Sequence, residues 1–307
     1  MTEQTLSLKA GNCCHTDKLN QKGVLPTVGF LGGLVAFGSV WAMPVNALQV
    51  QIKPTNAQVG DTLSVMIQMD NASSEPPQVS LKGKSYPVYP VGQNRFRALL
   101  PSTPLDKPGS WQVQVSGDGE KRSLAVSMRG RNFPTQSIWL PPGQDGNVSD
   151  YEFDLVDAFK KLQTPQKFWN GPFLRPNAGE VTTIYGVRRY YNGEFAEDYF
   201  HRGVDYAGPS GSPVIAPAAG RVGLIGRESQ GFKVHGNIIG IDHGQGVTSV
   251  FLHLSRIDVK EGDMVKAGQV IGTLGSTGAS TGPHLHWGLY VHGLSVDPVP
   301  WRTQGFD

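Results

Sequence analysis

The sequence predicts an all-β protein: an N-terminal immunoglobulin-like β-sandwich, a short connecting helix, and a C-terminal antiparallel β domain of the barrel-sandwich type. Three observations carry that expectation. Apolar and polar residues alternate in short runs over most of the chain, 39 glycines and 22 prolines are scattered between the runs, and only one stretch repeats at helical spacing. Alternation puts one set of side chains on one face of a strand, and turn residues reverse the chain between strands. With 307 residues and 38% apolar content, the chain can bury a sizeable core in each of two domains. The formal net charge is only +2, and no Lys/Arg run interleaves with aromatics, so nucleic acid is excluded as a partner.

Residues 1–47 read as a signal peptide. From about Gly23 to Ala42 the chain carries no charge, Lys18 and Lys22 precede it, and Val45-Asn46-Ala47 offers the small or medium residues that a signal peptidase needs. The expected protein is therefore exported, to the periplasm or cell envelope. The competing reading is an uncleaved anchor, since the apolar run approaches the roughly 20 residues needed to span a bilayer. In that case the membrane is met only through this segment. Its glycines and the apparent cleavage site favour removal. Cys13 and Cys14 precede the apolar run, so a cleaved chain has neither a disulfide nor a Cys-ligated zinc site.

The sandwich is expected over residues 48–130. Leu63, Val65, Ile67 and Met69 alternate, as do Phe96, Ala98 and Leu100, then Trp111, Val113 and Val115, then Leu124, Val126 and Met128. This region has no histidine and reads as a spacer, wall-binding or substrate-positioning module. Residues 131–168 are expected to form a linker with one short helix. Ser149 and Glu152 have capping-box spacing, Tyr151, Leu155, Phe159 and Leu162 form an apolar stripe expected to pack on a neighbouring domain, Lys160 and Lys161 sit late, and Pro165 ends the helix.

Residues 169–307 return to β signals. Val214–Val222 and Glu261–Gly272 look like two related strand-turn units and resemble the half-repeats of lipoyl and biotinyl carrier domains. Lys266 lies where those domains have an ordinary strand residue, so the hint is structural and points to a Gly-rich barrel-sandwich.

The chemistry is expected at the histidines. His235 and His292 are isolated in polar, turn-like surroundings and are expected at the surface; a turn role is expected for His243. His201 and Asp205 are four apart, which puts an imidazole and a carboxylate on one face in either a strand or a helical turn. His284 and His286 alternate, so in a strand both imidazoles face one point. Three His/Asp ligands with the fourth position left to water are what a catalytic zinc site requires. Zinc lowers the pKa of bound water from about 15.7 to near 7. A group titrating near neutrality must still move a proton, and histidine suits that task. His253, in Phe251-Leu252-His253-Leu254, has apolar neighbours that would hold it inward. Spacing leaves open which member of the His284/His286 pair binds metal.

His201-x-Gly203-x-Asp205, Phe251-x-His253-Leu254-Ser255 and Ser280-Thr281-Gly282-Pro283-His284-Leu285-His286 closely resemble the motifs of the lysostaphin/LytM-type zinc endopeptidases. The likeness extends over roughly Phe173 to Pro298 and includes Ile184-Tyr185-Gly186-x-Arg188-Arg189 and the closing Asp297-Pro298. Phe251 stands where many relatives have Tyr. The resemblance implies that His201, Asp205 and His286 hold one Zn2+ per chain, that His253 and His284 are catalytic, and that residues 169–307 form a zinc metallopeptidase domain. It implies hydrolysis of peptide bonds in peptidoglycan stems or cross-links. Some relatives keep the fold, lose ligands and act as activators of other wall hydrolases, and the alternative reading of this chain is a non-catalytic wall-binding protein or such an activator; this chain keeps all five positions. Two further expectations concern the surroundings. Asn170, Asn177 or Asn192 is available as a fourth ligand in a latent state, and Arg188, Arg189, Tyr199 and Trp287 are candidates for lining a groove.

Overall fold

The computed structural model describes residues 48–70, 75–139 and 150–306. The expected signal segment, with Cys13 and Cys14, and the expected helix cap Ser149 lie outside them. The described residues belong to one compact unit, Asn46–Asp307, and the protein is nearly all β.

Two four-stranded antiparallel sheets form the N-terminal half. One runs Gln49–Lys53, Thr62–Gln68, Arg95–Pro101, Val88–Gly92; the other runs Lys84–Tyr86, Gln78–Leu81, Gly109–Gly117, Glu120–Met128. Leu63, Val65, Ile67, Ala98 and Leu100 from the first share one core with Trp111, Val113, Val115, Val126 and Met128 from the second. These are the alternating residues of the sequence, because a side-chain period of two gives each strand one buried face.

The C-terminal half is organised on a longer sheet whose strands lie in the order Glu180–Thr183, Val204–Ala207, His284–Val291, Val247–Leu252, Ile238–Gly244, Gly220–Gly226, Met264–Val265. A small sheet of Pro213–Ile215, Val270–Leu274 and Leu254–Ile257 accompanies it. The two strand-turn units pair with each other, Val214 opposite Gly272 and Gly220 opposite Val265. Residues 131–168 supply more than a helix. Thr135–Ile138 pairs in parallel with Arg188–Tyr191, which in turn pairs with Glu194–Phe195.

The helix spans Asp150–Lys160, and of the expected stripe only Phe159 is fully buried. Glu152, Val156, Phe159 and Lys160 are buried, whereas Tyr151 is 59% exposed and Leu155 and Leu162 are each 37% exposed. Two contacts set this rotation. The Glu152 carboxylate is taken up by a loop of the peptidase half, and the Phe159 ring lies over Gly223 and Gly240, where a Cβ would come within 3.0 and 2.6 Å of it.

The two halves meet through buried polar contacts. Arg97, 1% exposed, donates to Phe306 O at 2.6 Å and to Gln245 Oε1, and its guanidinium lies over the Trp169 ring. Trp301 Nε1 donates to Thr62 Oγ1 at 3.2 Å, and Asp297 N donates to Gly60 O at 2.8 Å. Asp297 also caps the helix Pro298–Thr303 by accepting from Val299 N and pairs with Arg131 at 2.6 Å.

Candidate metal centre

The strand Val204–Ala207 lies antiparallel to His284–Val291 with Asp205 directly opposite His286. His201 approaches from the turn before that strand. Its Nδ1 is 2.9 Å from Ile184 O; donating there leaves the Nε2 lone pair facing the site. His201 Nε2 is 3.0 Å from both Asp205 Oδ1 and His286 Nδ1, and those two atoms are 2.8 Å apart. Ligand atoms of the three residues all lie within 4.8 Å of one another. Two imidazole nitrogens and a carboxylate oxygen converging in this way fit a divalent metal.

The electrostatics agree with that use. Burial alone would raise the Asp205 carboxyl, but its contacts with His201 and His286 outweigh it and hold the group far below the usual carboxylate range. Burial pushes His286 down to about 4 despite the Asp205 contact. Both donors are thus in the unprotonated forms that a metal requires. Gly203 makes the convergence sterically feasible, since a Cβ there would lie 2.4 Å from Trp287 O and 2.8 Å from His286 Nε2.

His253 and His284 stand beside this group, their ring centroids 4.7 Å apart. Leu252 is paired with His286 across the sheet, so the next residue emerges next to the three donors. His253 has φ 64°, the left-handed region that a non-glycine residue seldom occupies. Its Nδ1 is 2.8 Å from Thr277 O. Burial, then the neighbouring His284, lower its pKa to about 3, so the ring is neutral and Nε2 is its free acceptor. His284 Nδ1 lies 2.9 Å from Gly282 O and 3.1 Å from Ser280 Oγ.

Several expectations need correction. Trp287 does not line a groove: it is fully buried and donates to Ser249 Oγ at 3.2 Å, because it sits on the opposite face of the strand from His286. His243 is not a turn residue but a buried strand residue, with Nδ1 2.9 Å from Ala219 O and Nε2 2.9 Å from Ser249 Oγ. His235 is paired with Glu152 at 2.5 Å, and His292 packs against Tyr86 and contacts Gln163. Asn177 is committed to Pro213 O and Gly179 N, each at 2.8 Å. Asn170 and Asn192 are exposed, the latter at a hairpin turn with φ 51°. Arg189 donates to the Tyr199 and Tyr191 hydroxyls at 3.1 and 3.3 Å, and Arg188 donates to Tyr199 O at 2.9 Å. Sequence reasoning missed the roles of Ile184 O, Thr277 O and Glu152. The first two are backbone atoms and leave no side-chain signal.

Residues 199–298 match Peptidase family M23. The chain is also 36% identical to the catalytic domain of lysostaphin from Staphylococcus simulans, covering 93% of that chain and 41% of its own length, with a TM-score of 0.35. The protein belongs to peptidase family M23. A putative M23 peptidase from Pseudomonas aeruginosa matches over both halves: 29% identity, TM-score 0.58, 81% of this chain and 96% of that one. Among curated M23 relatives, the peptidoglycan DD-endopeptidase ShyC of Vibrio cholerae is 44% identical over 162 residues, 50% of this chain and 33% of the relative. The first curated relatives are matched over only 22% to 39% of their own length. Within the M23 domain, the three converging donors and the two neighbouring histidines all lie inside the matched residues.

Proposed function

We propose that the chain is an exported, zinc-dependent endopeptidase that hydrolyses peptide bonds in peptidoglycan stems or cross-links. The observation that carries this reading is the convergence of His201 Nε2, Asp205 Oδ1 and His286 Nδ1 beside the His253/His284 pair. In this reading His201, Asp205 and His286 hold one Zn2+ per chain. Zinc bound there supplies Lewis acidity to the attacking water and the scissile carbonyl.

The remaining chemistry belongs to the protein. Ile184 O fixes the tautomer of His201, and the ionised Asp205 offsets positive charge at the centre. His253, neutral and anchored through Nδ1 to Thr277 O, accepts a proton at Nε2 from the attacking water. His284, with Nδ1 turned toward Gly282 O, presents its opposite edge to the oxygen of the reacting carbonyl and stabilises the charge that develops there. The peptidoglycan substrate is supported by the likeness to ShyC, a peptidoglycan DD-endopeptidase. Export is supported by the charge-free run preceded by lysines in residues 1–47, with residues 48–130 as the sandwich, 131–168 as the connection and 169–307 as the peptidase domain. The strand orders of the sandwich, 1-2-6-5 and 4-3-7-8 in chain order, support an immunoglobulin-like reading, since they parallel the A-B-E-D and C-F-G sheets with one added edge strand.

The test uses the zinc-loaded protein on defined muropeptides, with products identified by mass spectrometry. Cleavage abolished by a chelator is expected, His286→Ala should lose both zinc and turnover, and His253→Ala should retain zinc and lose turnover. A protein that binds one zinc and leaves every muropeptide intact refutes the reading and favours a non-catalytic wall-binding or activator protein.

A further inference from the structure

Glu152, on the helix Asp150–Lys160, is 0% exposed, and the sites it serves lie far from it in sequence. Its carboxylate accepts from Lys233 N at 3.0 Å, Val234 N at 3.2 Å and His235 N at 2.7 Å, and it pairs with His235 Nδ1 at 2.5 Å. A buried carboxylate is costly unless several donors satisfy it. A helix that needed only to dock would place an apolar residue there, as it does at Val156 and Phe159. The cluster therefore specifies the path of the 233–235 backbone.

That backbone is in direct contact with the loops carrying the two site histidines. His235 O accepts from His253 N at 3.1 Å, and Val234 O accepts from Ala279 N at 3.0 Å. Gly236, at φ 64°, lies against Thr277, where a Cβ would fall 2.4 Å from the carbonyl oxygen. That same oxygen contacts His253 Nδ1. Ala279 belongs to the loop whose next residues, Ser280 and Gly282, contact His284 Nδ1. His253 needs such support because its left-handed backbone persists only where the surroundings over-determine it. The three donor residues of the metal centre are held differently, by the strand pair and by Ile184 O.

We propose that Glu152 is a positioning residue: it fixes the 233–236 loop, and through it the backbone of His253 and the 276–282 loop, so that the connecting helix acts on the proton-transfer side of the site and not on the metal side. This rests on the roles given above to His253 and His284. It makes the helix a working part of the site.

The experiment compares the zinc-loaded full chain with Glu152→Gln, which keeps the shape but turns an amide toward backbone N–H donors. Val156→Ala, a cavity on the same buried helix face, is the control. Amide hydrogen exchange, zinc content and the split between kcat and KM are read on each. Glu152→Gln should speed exchange at the His253 and Ala279 amides at least about tenfold, leave exchange along Val204–Ala207 and zinc content unchanged, and lower kcat by about 10- to 100-fold at unchanged KM. Val156→Ala should lower global stability without those local changes. Wild-type exchange at His253 and Ala279 in Glu152→Gln overturns the proposal whatever the cleavage result. So does faster exchange with unchanged kcat, or a Val156→Ala variant that reproduces both effects. Equal turnover by His253→Ala and wild type would instead overturn the role of His253, while the exchange measurement still decides whether Glu152 sets the loop.

Discussion

His243 should make the fold acid-sensitive in a way that one substitution removes. The side chain is completely buried, 4.9 Å from the Phe173 ring, and burial lowers its pKa to about 4. In the unfolded chain the same group titrates near its ordinary value of about 6.5. Between those values the unfolded state binds more protons than the folded one, so stability is complete above about pH 6.5 and declines as pH falls toward 4. The gap is worth about 3 kcal/mol in full, of which about 2.5 kcal/mol is lost between pH 7 and 4.5. His243→Phe fits the aromatic surroundings and cannot be protonated. It gives up the contacts to Ala219 O and Ser249 Oγ, a roughly pH-independent cost of about 1–3 kcal/mol. Urea unfolding of both proteins in chelator, at pH 7 and 4.5, separates the two effects. The wild type should lose about 2.5 kcal/mol more than the variant over this range. An equal loss in both would refute the reasoning, whatever their difference at pH 7.

Gly203→Ala should weaken zinc binding by about 10- to 100-fold, because the new methyl displaces His286; competition with a chromophoric chelator measures this, and unchanged affinity would contradict the steric argument. Phe159→Ala removes a ring packed on Gly223 and Gly240 and should destabilise the protein by about 3–5 kcal/mol in denaturant unfolding, against a loss under about 1 kcal/mol if the helix merely rests on the surface. A chain beginning at Trp169 should aggregate at concentrations where residues 48–307 stay soluble. It lacks the strand that pairs with Arg188–Tyr191, leaving an open sheet edge, and it lacks Arg97 over Trp169. Light scattering decides this, and equal solubility would show that the peptidase half stands alone.

Much of the architecture is legible in the sequence because it depends on local periodicity. Leu63, Val65 and Ile67 alternate in the chain and all point into one core, and the alternation of His284 and His286 likewise puts both on the side away from Leu285. The same rule, pressed further, places Trp287 with Leu285 in the core and so removes it from any groove. What could not be read locally depends on partners distant in sequence. The inward face of the helix is selected by amides at 233–235 and glycines at 223 and 240, so of the most regular apolar stripe only Phe159 is fully buried. The parallel pairing of Thr135–Ile138 with Arg188–Tyr191 has no local signal. His243 looked like a turn residue because glycines follow it, yet its ring is sealed between Ala219, Ser249 and Phe173.

The alignment of Asp205 with His286 has a consequence for how this chain can vary. A single-residue insertion or deletion at the start of His284–Val291 would send Leu285 and Trp287 to the open side and drive the imidazoles into the apolar interior, and one at the start of Val204–Ala207 would turn Asp205 away from them. Core and chemistry would fail together, so length changes in these strands are barred by two penalties at once. Variation in reach and selectivity is left to segments outside the strand pair that anchor no site histidine, such as the Tyr191–Tyr199 hairpin.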